Sequence, residues 1–340
     1  MQVSLRPLVR APGRAVDRSL AGGLFGFSEV EILSRSADGS VIPVDAAEVL
    51  YPEAGALLAR LSEPRAQLIG LDLSRPKLMG VVNVTPDSFS DGGQLVSVEA
   101  AIAHGLSLVA AGADVLDIGG ESTRPGAEPV AMETECERVL PVIEGLVQAG
   151  CSAPISIDTR NAEVARRALA AGASMFNDVS ALTYDPESLE VAKTAPAVCL
   201  MHSIGDPRTM QDDPQYDDVL LDVFDFLAAR VAACVAVGIP RERIMVDPGI
   251  GFGKTLEHNL ALLRGLSLLH AIGCAVLLGV SRKGFIGRLS GETTAARRAP
   301  GSIAAGLAGL GQGVQMLRVH DVAETRQALD VWLALQEGQS

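Results

Sequence analysis

The sequence predicts an α/β protein in which a (β/α)8 barrel over residues 77–340 follows an N-terminal appendage over residues 1–76. Three observations lead to this prediction. Eight short apolar runs alternate with helical stretches after Lys77, they fit into about 260 residues, and nearly every run ends in a polar residue. Together they indicate parallel strands that close on themselves.

The composition excludes several classes of protein. Of the 340 residues, 48% are hydrophobic and 20% are charged, so the chain can build a large core and is not disordered. The net charge of −13 repels nucleic acid and anionic lipid, and an aromatic content of 4% leaves little for base stacking. No apolar run reaches the roughly 18 residues of a membrane span. We therefore expect no nucleic-acid or membrane partner.

The cysteines and the first residues bear on the compartment. Five cysteines, an odd number with no CxxC spacing, predict reduced thiols in a cytoplasmic protein. The four arginines between residues 6 and 18 would suit an organelle transit peptide, but Pro7 and Pro12 interrupt the helix that such a peptide needs. The cytoplasm is therefore the favoured location.

The appendage contains a predicted hairpin and a predicted helix. Val30–Leu33 and Val41–Val44 are short β-rich runs on either side of a polar stretch that includes Asp38-Gly39, a pair common in hairpin turns. Ala54–Leu61 then has the pattern of a short helix. No chemistry is evident in this region.

The eight barrel strands are predicted from apolar runs bounded by turn residues. They are Leu78–Val84, Val115–Ile118, Ile155–Ile157, Met175–Phe176, Val198–Met201, Ile244–Val246, Ala275–Val280 and Met316–Val319. Helices are predicted over Ala162–Ala171, Tyr216–Val237 and Asn259–His270. An open doubly wound sheet is the alternative, but no GxGxxG follows the first strand.

Polar residues at the strand ends predict the location of a site. The carboxyl ends of all eight strands meet on one face of a barrel, where barrel active sites lie. The polar residues at these ends are Asn83, Asp117, Asp158, Asn177, Asp178, His202, Asp247, Ser281, Arg318 and His320. Any one could be a structural cap, but polar residues at all eight strand ends predict a polar, ligand-binding face.

The loops after these strands carry a distinctive set of motifs. They are Asn83–Gly93, Gly119–Gly126, Ile157-Asp158-Thr159, Asn177-Asp178-Val179, Asp247–Lys254, Ser281-Arg282-Lys283 and Arg318-Val319-His320-Asp321. In this order they resemble the dihydropteroate synthases, over about residues 77–337. The resemblance implies a homodimeric (β/α)8 transferase of folate biosynthesis, a sulfonamide target, which joins 6-hydroxymethyl-7,8-dihydropterin diphosphate to 4-aminobenzoate and releases diphosphate.

The predicted pterin site combines carboxylates with an amide. A pterin ring presents donors beside a carbonyl acceptor, and such an edge pairs well with these groups. The resemblance assigns this role to Asp158, Asn177 and Asp247, and Lys283 can donate to the ring carbonyl or N5 in the same pocket. Phe252 is a further predicted substrate-binding residue. Loop capping is the alternative role for Asp158 and Asp247, and Asn177 is preferred to Asp178 as the ring ligand.

The predicted diphosphate site needs local cations, because the chain as a whole is acidic. Arg318 can bind phosphate oxygens bidentately, and His320 adds a donor. The resemblance implies that Asn83 contacts Mg²⁺ bound to the diphosphate, and Arg124 could reach the same phosphates. A purely structural ion pair with Asp321 is the alternative for Arg318 and His320.

The predicted aminobenzoate site lies in the first two loops. The resemblance assigns it Phe89, Thr123 and Pro125, in loops whose Gly- and Ser-rich sequence predicts mobility. We expect the reaction itself to depend on Asp158, Lys283, Arg318 and His320, with no covalent nucleophile. Two positions depart from the family pattern: Ser203 stands where Met is common and Gly284 where Ser is common.

Other functions and other residues are disfavoured. A pterin-binding methyltransferase would not need the Lys283 and Arg318 motifs, and a non-catalytic pterin binder would have degenerate ones. Lys254 follows a glycine-rich turn, but Pro248 stands where a phosphate-binding loop needs its first Gly. We therefore expect Lys254 to bind no phosphate.

Overall fold

A computed structural model describes residues 4–12, 14–35, 37–85, 98–122, 128–205 and 209–337. Its first part contains β1 (Ser4–Pro7), β2 (Arg18–Ser19), β3 (Gly26–Phe27), β4 (Glu29–Ser34), β5 (Ala37–Pro43), α1 (Val44–Leu50) and α2 (Ala54–Ser62). Strands β4 and β5 form the predicted antiparallel hairpin, and β1 pairs with the other edge of β4. Helix α2 confirms the predicted helix.

The hairpin differs from the prediction at both ends of its second strand. Strand β5 begins at Ala37, so Asp38-Gly39 lies within the strand and not in the turn. The pairing register of β4 with β5 shifts between Ile32 and Ser34, close to the end of β4. At the other end, Pro43 precedes α1, and Val44 starts this helix instead of ending the strand.

The barrel strands confirm all eight predicted positions. They are β6 (Lys77–Asn83), β7 (Val115–Gly119), β8 (Ile155–Asp158), β9 (Met175–Asp178), β10 (Ala197–Met201), β11 (Ile244–Asp247), β12 (Ala275–Leu278) and β13 (Met316–Val319). Each strand pairs in parallel with the next, and β13 pairs with β6, which closes the barrel. The fold class predicted from the sequence is therefore confirmed.

Helices surround the barrel. They are α3 (Val98–Ala110), α4 (Met132–Gln148), α5 (Ala162–Ala171), α6 (Ser188–Ala192), α7 (Val219–Ala236), α8 (Leu256–Arg264), α9 (Gly284–Ser290), α10 (Ala299–Leu310) and α11 (Val322–Glu337). Helix α5 has the predicted bounds. Helix α7 starts later than predicted because Asp218 caps it, with its carboxylate accepting from two backbone N–H groups. None of the helices in the described parts of the chain is long and apolar enough to cross a membrane.

The third predicted helix divides in two. Helix α8 starts at Leu256, where Thr255 and His258 form a capping box, and ends at Arg264. A 3₁₀ helix over Leu266–Ile272 then continues the predicted segment. Gly265 separates the two helices, and its low helix propensity explains the break.

The interior of the barrel is filled by apolar side chains that belong to one cluster. Val115, Met175, Met245 and Met316 point inward from their strands, and Leu68 and Leu73 pack in the same cluster. Leu68 and Leu73 precede β6, so this end of the appendage closes the amino-terminal end of the barrel.

The rest of the appendage packs against the outside of the barrel. Phe27 and Val30 belong to the same buried cluster as the residues of the Leu266–Ile272 3₁₀ helix. The Ser267 hydroxyl donates to the Pro7 carbonyl over 3.0 Å. Trp332 of α11, the one tryptophan of the sequence, has its ring 5.7 Å from that of Phe25. The appendage and the barrel therefore share one core.

Candidate active site

Strand alternation places a group of polar side chains inside the carboxyl-terminal end of the barrel. Alternate residues of a strand share a face, so a residue two positions after an inward-facing one also faces inward. Val115, Met175, Met245 and Met316 line the interior. The residues two positions after these four are polar, and Asn83 and Asp158 lie at the ends of two further strands. We call this group the polar bowl; it consists of Asn83, Asp117, Asp158, Asn177, Asp247 and Arg318.

Arg318 lies between two carboxylates of the polar bowl. Its Nε donates to Asp117 Oδ2, and its Nη2 donates to Asp158 Oδ2 over 2.6 Å. The Asn177 amide donates to both oxygens of Asp117, over 3.3 and 3.2 Å. Asp117 is fully buried, so it needs both partners to be stable there. The four residues form one network that spans strands β7, β8, β9 and β13.

The electrostatics of this network follow from one cation shared by two carboxylates. Burial raises the pKa of Asp158 to about 7, against the opposing effect of Arg318 and with the help of the Asp117 charge. Burial alone would lower the pKa of Arg318, but the two carboxylates outweigh it and the pKa is raised. Arg318 therefore stays charged, whereas burial favours the neutral form of Asp158.

The opposite side of the polar bowl contains a second predicted group. Asp247 ends β11, and its Oδ1 accepts from the Gly249 N–H over 2.6 Å. Burial raises its pKa, while the Lys283, Arg318 and Lys254 charges lower it. The Lys283 Nζ lies 3.9 Å from the centre of the Phe252 ring, a cation–π contact. The Lys283 ammonium thus contacts the Phe252 ring, and its charge acts on Asp247.

His320 and Asp321 follow β13 and have different partners. The His320 Nδ1 lies 3.0 Å from the Ser281 hydroxyl, which also accepts from the His320 backbone N–H. Asp321 forms a two-bond ion pair with Arg282. Since Arg318 contacts Asp117 and Asp158 instead, the alternative of a structural pair between Arg318 and Asp321 is wrong.

Asn177 and Asp178 have different partners. Asn177 points into the polar bowl, whereas Asp178 points outward and caps the following loop. The Asp178 carboxylate accepts from the N–H groups of Ser180 and Leu182 and from the Ser180 hydroxyl. The bonds hold Ala181 and Leu182 at positive φ, a strained conformation for residues other than Gly.

The two loops predicted to hold 4-aminobenzoate are only partly described. Phe89, Thr123, Arg124 and Pro125 lie outside the described residues. The ends of the second loop are joined by Glu121, whose carboxylate pairs with Arg160 through two bonds of 3.0 Å and accepts from the Val130 N–H. Sequence reasoning missed this buried pair, since its partners lie 39 residues apart.

Two further residues of the site were missed or set aside. Asp117 was noted as a strand end but not chosen, although it lies two residues after inward-facing Val115, as Asn177 does after Met175. Lys254 was examined only as a phosphate ligand. The structure buries it to 2% exposure, with its Nζ bonded to His202 and to the Phe252 carbonyl.

Of the two departures from the family pattern, Ser203 has a local explanation and Gly284 has none. The Ser203 hydroxyl donates to the Val179 carbonyl over 2.8 Å and so ties the loop after β10 to that after β9. Gly284 starts α9, and a Cβ added there would meet no atom within 4 Å. Neither change disturbs the polar bowl.

A Mg²⁺ site built from side chains alone is not seen in the described ranges. No group of three or more His, Cys, Asp or Glu residues in residues 4–337, leaving aside the gaps given above, could hold a metal ion. Mg²⁺ bound through substrate phosphates needs only one or two protein ligands, however. The Asn83 Oδ1, at the rim of the polar bowl and 3.8 Å from where a Gly119 Cβ would lie, suits that kind of site.

Comparison with known proteins agrees with this geometry. Residues 79–320 match the pterin binding enzyme family. The chain is 50% identical over 273 residues to a dihydropteroate synthase of Neisseria meningitidis serogroup B, covering 78% of this chain and 94% of that protein. The Escherichia coli K12 dihydropteroate synthase is 45% identical, over 78% of this chain and 94% of its own length.

Solved structures show the same likeness. The Xanthomonas albilineans dihydropteroate synthase with 4-aminobenzoic acid superposes with a TM-score of 0.74 at 50% identity, over 79% of this chain and 96% of that one. The structure of the enzyme from the same organism in complex with 7,8-dihydropteroate has a TM-score of 0.72 at 48% identity, with 79% and 97% covered. The Yersinia pestis enzyme with a sulfonamide drug complex has a TM-score of 0.76 at 42% identity, with 80% and 99% covered. The chain therefore belongs to the dihydropteroate synthase family.

Proposed function

We propose that the polar bowl binds 6-hydroxymethyl-7,8-dihydropterin diphosphate and condenses it with 4-aminobenzoate to give 7,8-dihydropteroate and diphosphate. The observation that carries this assignment is the buried Asp117–Arg318–Asp158 network with Asn177, opposite Asp247 and Lys283. Relatives have been solved with 4-aminobenzoic acid and with 7,8-dihydropteroate, which supports both the substrate and the product.

Asp158, Asn177 and Asp247 would receive the pterin ring. Their carboxylate and amide oxygens face the donors along the ring edge, and Lys283 would donate to its carbonyl or to N5. Asp117 serves a different purpose in this proposal. It is fully buried and bonded to Arg318 and Asn177, so it fixes the orientation of both.

The diphosphate would bind at the rim. A guanidinium has five N–H donors, and Asp117 and Asp158 take one each from Arg318 through the bonds described. Further donors of Arg318, with His320, would contact phosphate oxygens, and Arg124 would contribute from the second loop. Asn83 would hold Mg²⁺ carried by the diphosphate, and this ion would supply charge neutralisation for the leaving group.

The proposed reaction substitutes a nitrogen for an oxygen at the exocyclic carbon of the pterin. The C–O bond breaks and its electron pair departs with the diphosphate, which Arg318 and His320 stabilise. The electron-rich ring holds the positive charge that develops, and the Asp158 carboxylate stabilises it. The amine of 4-aminobenzoate then forms the C–N bond and loses a proton. No enzyme nucleophile takes part.

The remaining features are proposed from the resemblance and the cysteines. A homodimer is the assembly that the resemblance implies. A reducing compartment, the cytoplasm, fits the five cysteines, which are all free thiols.

One assay tests the activity. Diphosphate release should require the pterin diphosphate, 4-aminobenzoate and Mg²⁺ together, and a new pteroate product should appear in equal amount. Release that ignores 4-aminobenzoate, or no release by folded protein, would contradict the proposed function.

A further inference from the structure

Arg282 has an unusual backbone conformation between two residues of the site. Its φ is 59°, in the left-handed region that residues other than glycine rarely adopt. Ser281 lies before it and Lys283 after it. A left-handed conformation at such a residue is unfavourable by itself and persists where the surrounding structure holds it. The contacts of Arg282 therefore show what maintains this turn.

The backbone of Arg282 is bonded on both sides to the start of α10. Its N–H donates to the Ser302 hydroxyl over 2.8 Å, and its carbonyl accepts from the Arg298 guanidinium over 3.2 Å. The Ser302 hydroxyl in turn donates to the Arg298 carbonyl over 2.8 Å. Arg298 also donates to the carbonyls of Glu292 and Thr293, so its own position is fixed. None of these bonds depends on the side chain of residue 282.

The side chain of Arg282 adds a contact to another element. Its Nε and Nη2 donate to the two oxygens of Asp321, which follows β13. The Asp321 side chain is 13% exposed and that of Arg282 is 32% exposed, so water screens the pair only in part. Two parallel bonds also fix the direction of the guanidinium. The ion pair therefore ties the loop after β12 to the loop after β13.

The turn at Arg282 determines how the residues on either side of it enter the site. The Ser281 hydroxyl accepts from the His320 backbone N–H over 3.1 Å and lies 3.0 Å from His320 Nδ1. The Lys283 Nζ lies 3.9 Å from the centre of the Phe252 ring. A change of φ at one residue rotates the chain after it relative to the chain before it. Loss of the left-handed turn would therefore move Lys283 relative to Ser281 and His320.

We propose that Arg282 is a positioning residue for the reaction: its ion pair with Asp321 maintains the left-handed turn that sets the spacing of Lys283 and His320. The inference rests on the proposed function, in which Lys283 contacts the pterin and His320 contacts the diphosphate. One substrate molecule carries both groups, so it binds productively only when this spacing is correct. Arg282 itself contacts no substrate in this proposal.

Two substitutions of Arg282 separate the ion pair from the backbone conformation. Arg282→Ala removes the pair and keeps a Cβ, which makes the left-handed conformation unfavourable. Arg282→Gly removes the same pair, but glycine adopts this conformation freely. We expect kcat/KM for the pterin diphosphate to fall about tenfold in Arg282→Ala, the size of effect that a left-handed residue without its support implies. In Arg282→Gly it should stay within about threefold of the wild-type value.

Asp321 supplies a second test and decides the matter if Arg282→Ala does not fold. Asp321→Ala removes the other half of the pair and should lower kcat/KM as much as Arg282→Ala does. Addition of Arg282→Gly to Asp321→Ala should restore most of the activity, because glycine forms the turn without the pair. Thermal unfolding of each variant shows whether it is folded.

Arg326 supplies the matched control. It lies within α11 and pairs with Asp114, and the two side chains are 25% and 23% exposed. Asp114 precedes β7, at the end of the strand away from the site. Both Arg326→Ala and Arg326→Gly should keep the wild-type kcat/KM. The glycine variant should be the less stable of the two, since glycine is unfavourable in a helix.

Equal kcat/KM values in Arg282→Ala and Arg282→Gly would overturn the proposal. An equal fall would mean that the guanidinium acts on a substrate directly, and wild-type values in both would mean that the Ser302 and Arg298 bonds suffice to hold the turn. Wild-type activity in Asp321→Ala, or no restoration by Arg282→Gly, would overturn it as well. Absence of condensation by the wild-type protein would instead overturn the proposed function, and this inference with it.

Discussion

Asp158 and Lys283 are the two residues to which the proposed function gives the most direct role with the pterin. Asp158 shares Arg318 with Asp117, and Lys283 lies against Phe252 near Asp247. We expect Asp158→Asn and Lys283→Ala each to lower kcat/KM at least tenfold, since a bond to a charged group is worth roughly 1.5–3 kcal/mol. Thermal unfolding should show both variants folded, with Asp225→Asn, on the exposed face of α7, as the control. Normal turnover by both variants would mean that the pterin site is misplaced.

His270 predicts a measurable pH dependence of stability. It is fully buried, its Nε2 donates to the Gln312 carbonyl over 3.0 Å, and burial lowers its pKa to about 3, with Arg65 adding to the effect. The unfolded chain takes up this proton near pH 6.5 while the folded chain does not, so stability is lost as the pH falls below that value.

The variant His270→Gln isolates that contribution. A glutamine cannot take up the proton, so the free energy of unfolding should fall less between pH 7 and pH 5 than in wild type, by about 2 kcal/mol. Urea unfolding at the two pH values measures it. An identical pH dependence in both proteins would show that His270 is protonated in the folded state.

For single residues, the sequence predicts some positions but not the bonds that the side chains form. The sequence favours Asn177 over Asp178 as the ring ligand, and the structure shows that the two side chains leave β9 on opposite faces. The partners of Arg318 could not be predicted, since Asp117 and Asp158 lie 201 and 160 residues away in the chain. The bonds of Lys254 could not be predicted either, because they depend on its surroundings and not on its motif.

Among the elements, the buried strands were predicted well and the small surface strands poorly. The barrel strands are apolar runs buried on both faces, a strong local signal. Strands β1 to β3 have only two to four residues, so their local sequence signal is weak. The turn before β5 was misplaced because Asp38-Gly39 fits a local turn preference that strand pairing overrides.

The second loop leads to a prediction about the order of binding. Its ends are fixed by Glu121 and Arg160, whereas the residues assigned to 4-aminobenzoate lie between them. If charges on the diphosphate arrange Arg124 and its neighbours, the aminobenzoate pocket is completed only after the first substrate binds. In calorimetry 4-aminobenzoate should bind weakly alone and much more tightly with Mg²⁺ and diphosphate present.

A variant of Arg124 supplies the control for this calorimetric measurement. Arg124→Ala should shrink the effect of diphosphate, because it removes the loop cation. Equal affinity for 4-aminobenzoate with and without diphosphate would mean that the pocket is preformed.

At the scale of the whole molecule, we expect residues 1–76 to contribute to stability more than to the reaction. None of the polar bowl comes from them, but Leu68 and Leu73 pack in the barrel interior and the appendage shares the main core. A chain beginning at Ser74 should keep its kcat in the soluble fraction while melting at a lower temperature.

A second truncation separates the two contributions. A chain beginning at Arg65 keeps Leu68 and Leu73 and should melt between the Ser74 form and the full chain. Complete loss of activity in either truncation while it remains folded would show that the appendage takes part in the reaction. The sequence predicted the appendage as a unit but not its shared core, because those contacts join segments more than 200 residues apart.

The contact between Trp332 and Phe25 gives the chain its own optical probe. Since this is the one tryptophan in the sequence, all of its indole emission comes from the junction of appendage and last helix. If the appendage separated from α11, the Trp332 ring would be exposed to water and its emission would shift to longer wavelength. The far-ultraviolet circular dichroism of the barrel would stay unchanged. Recording both signals during one thermal melt would therefore show whether the appendage separates before the barrel unfolds, without any added label.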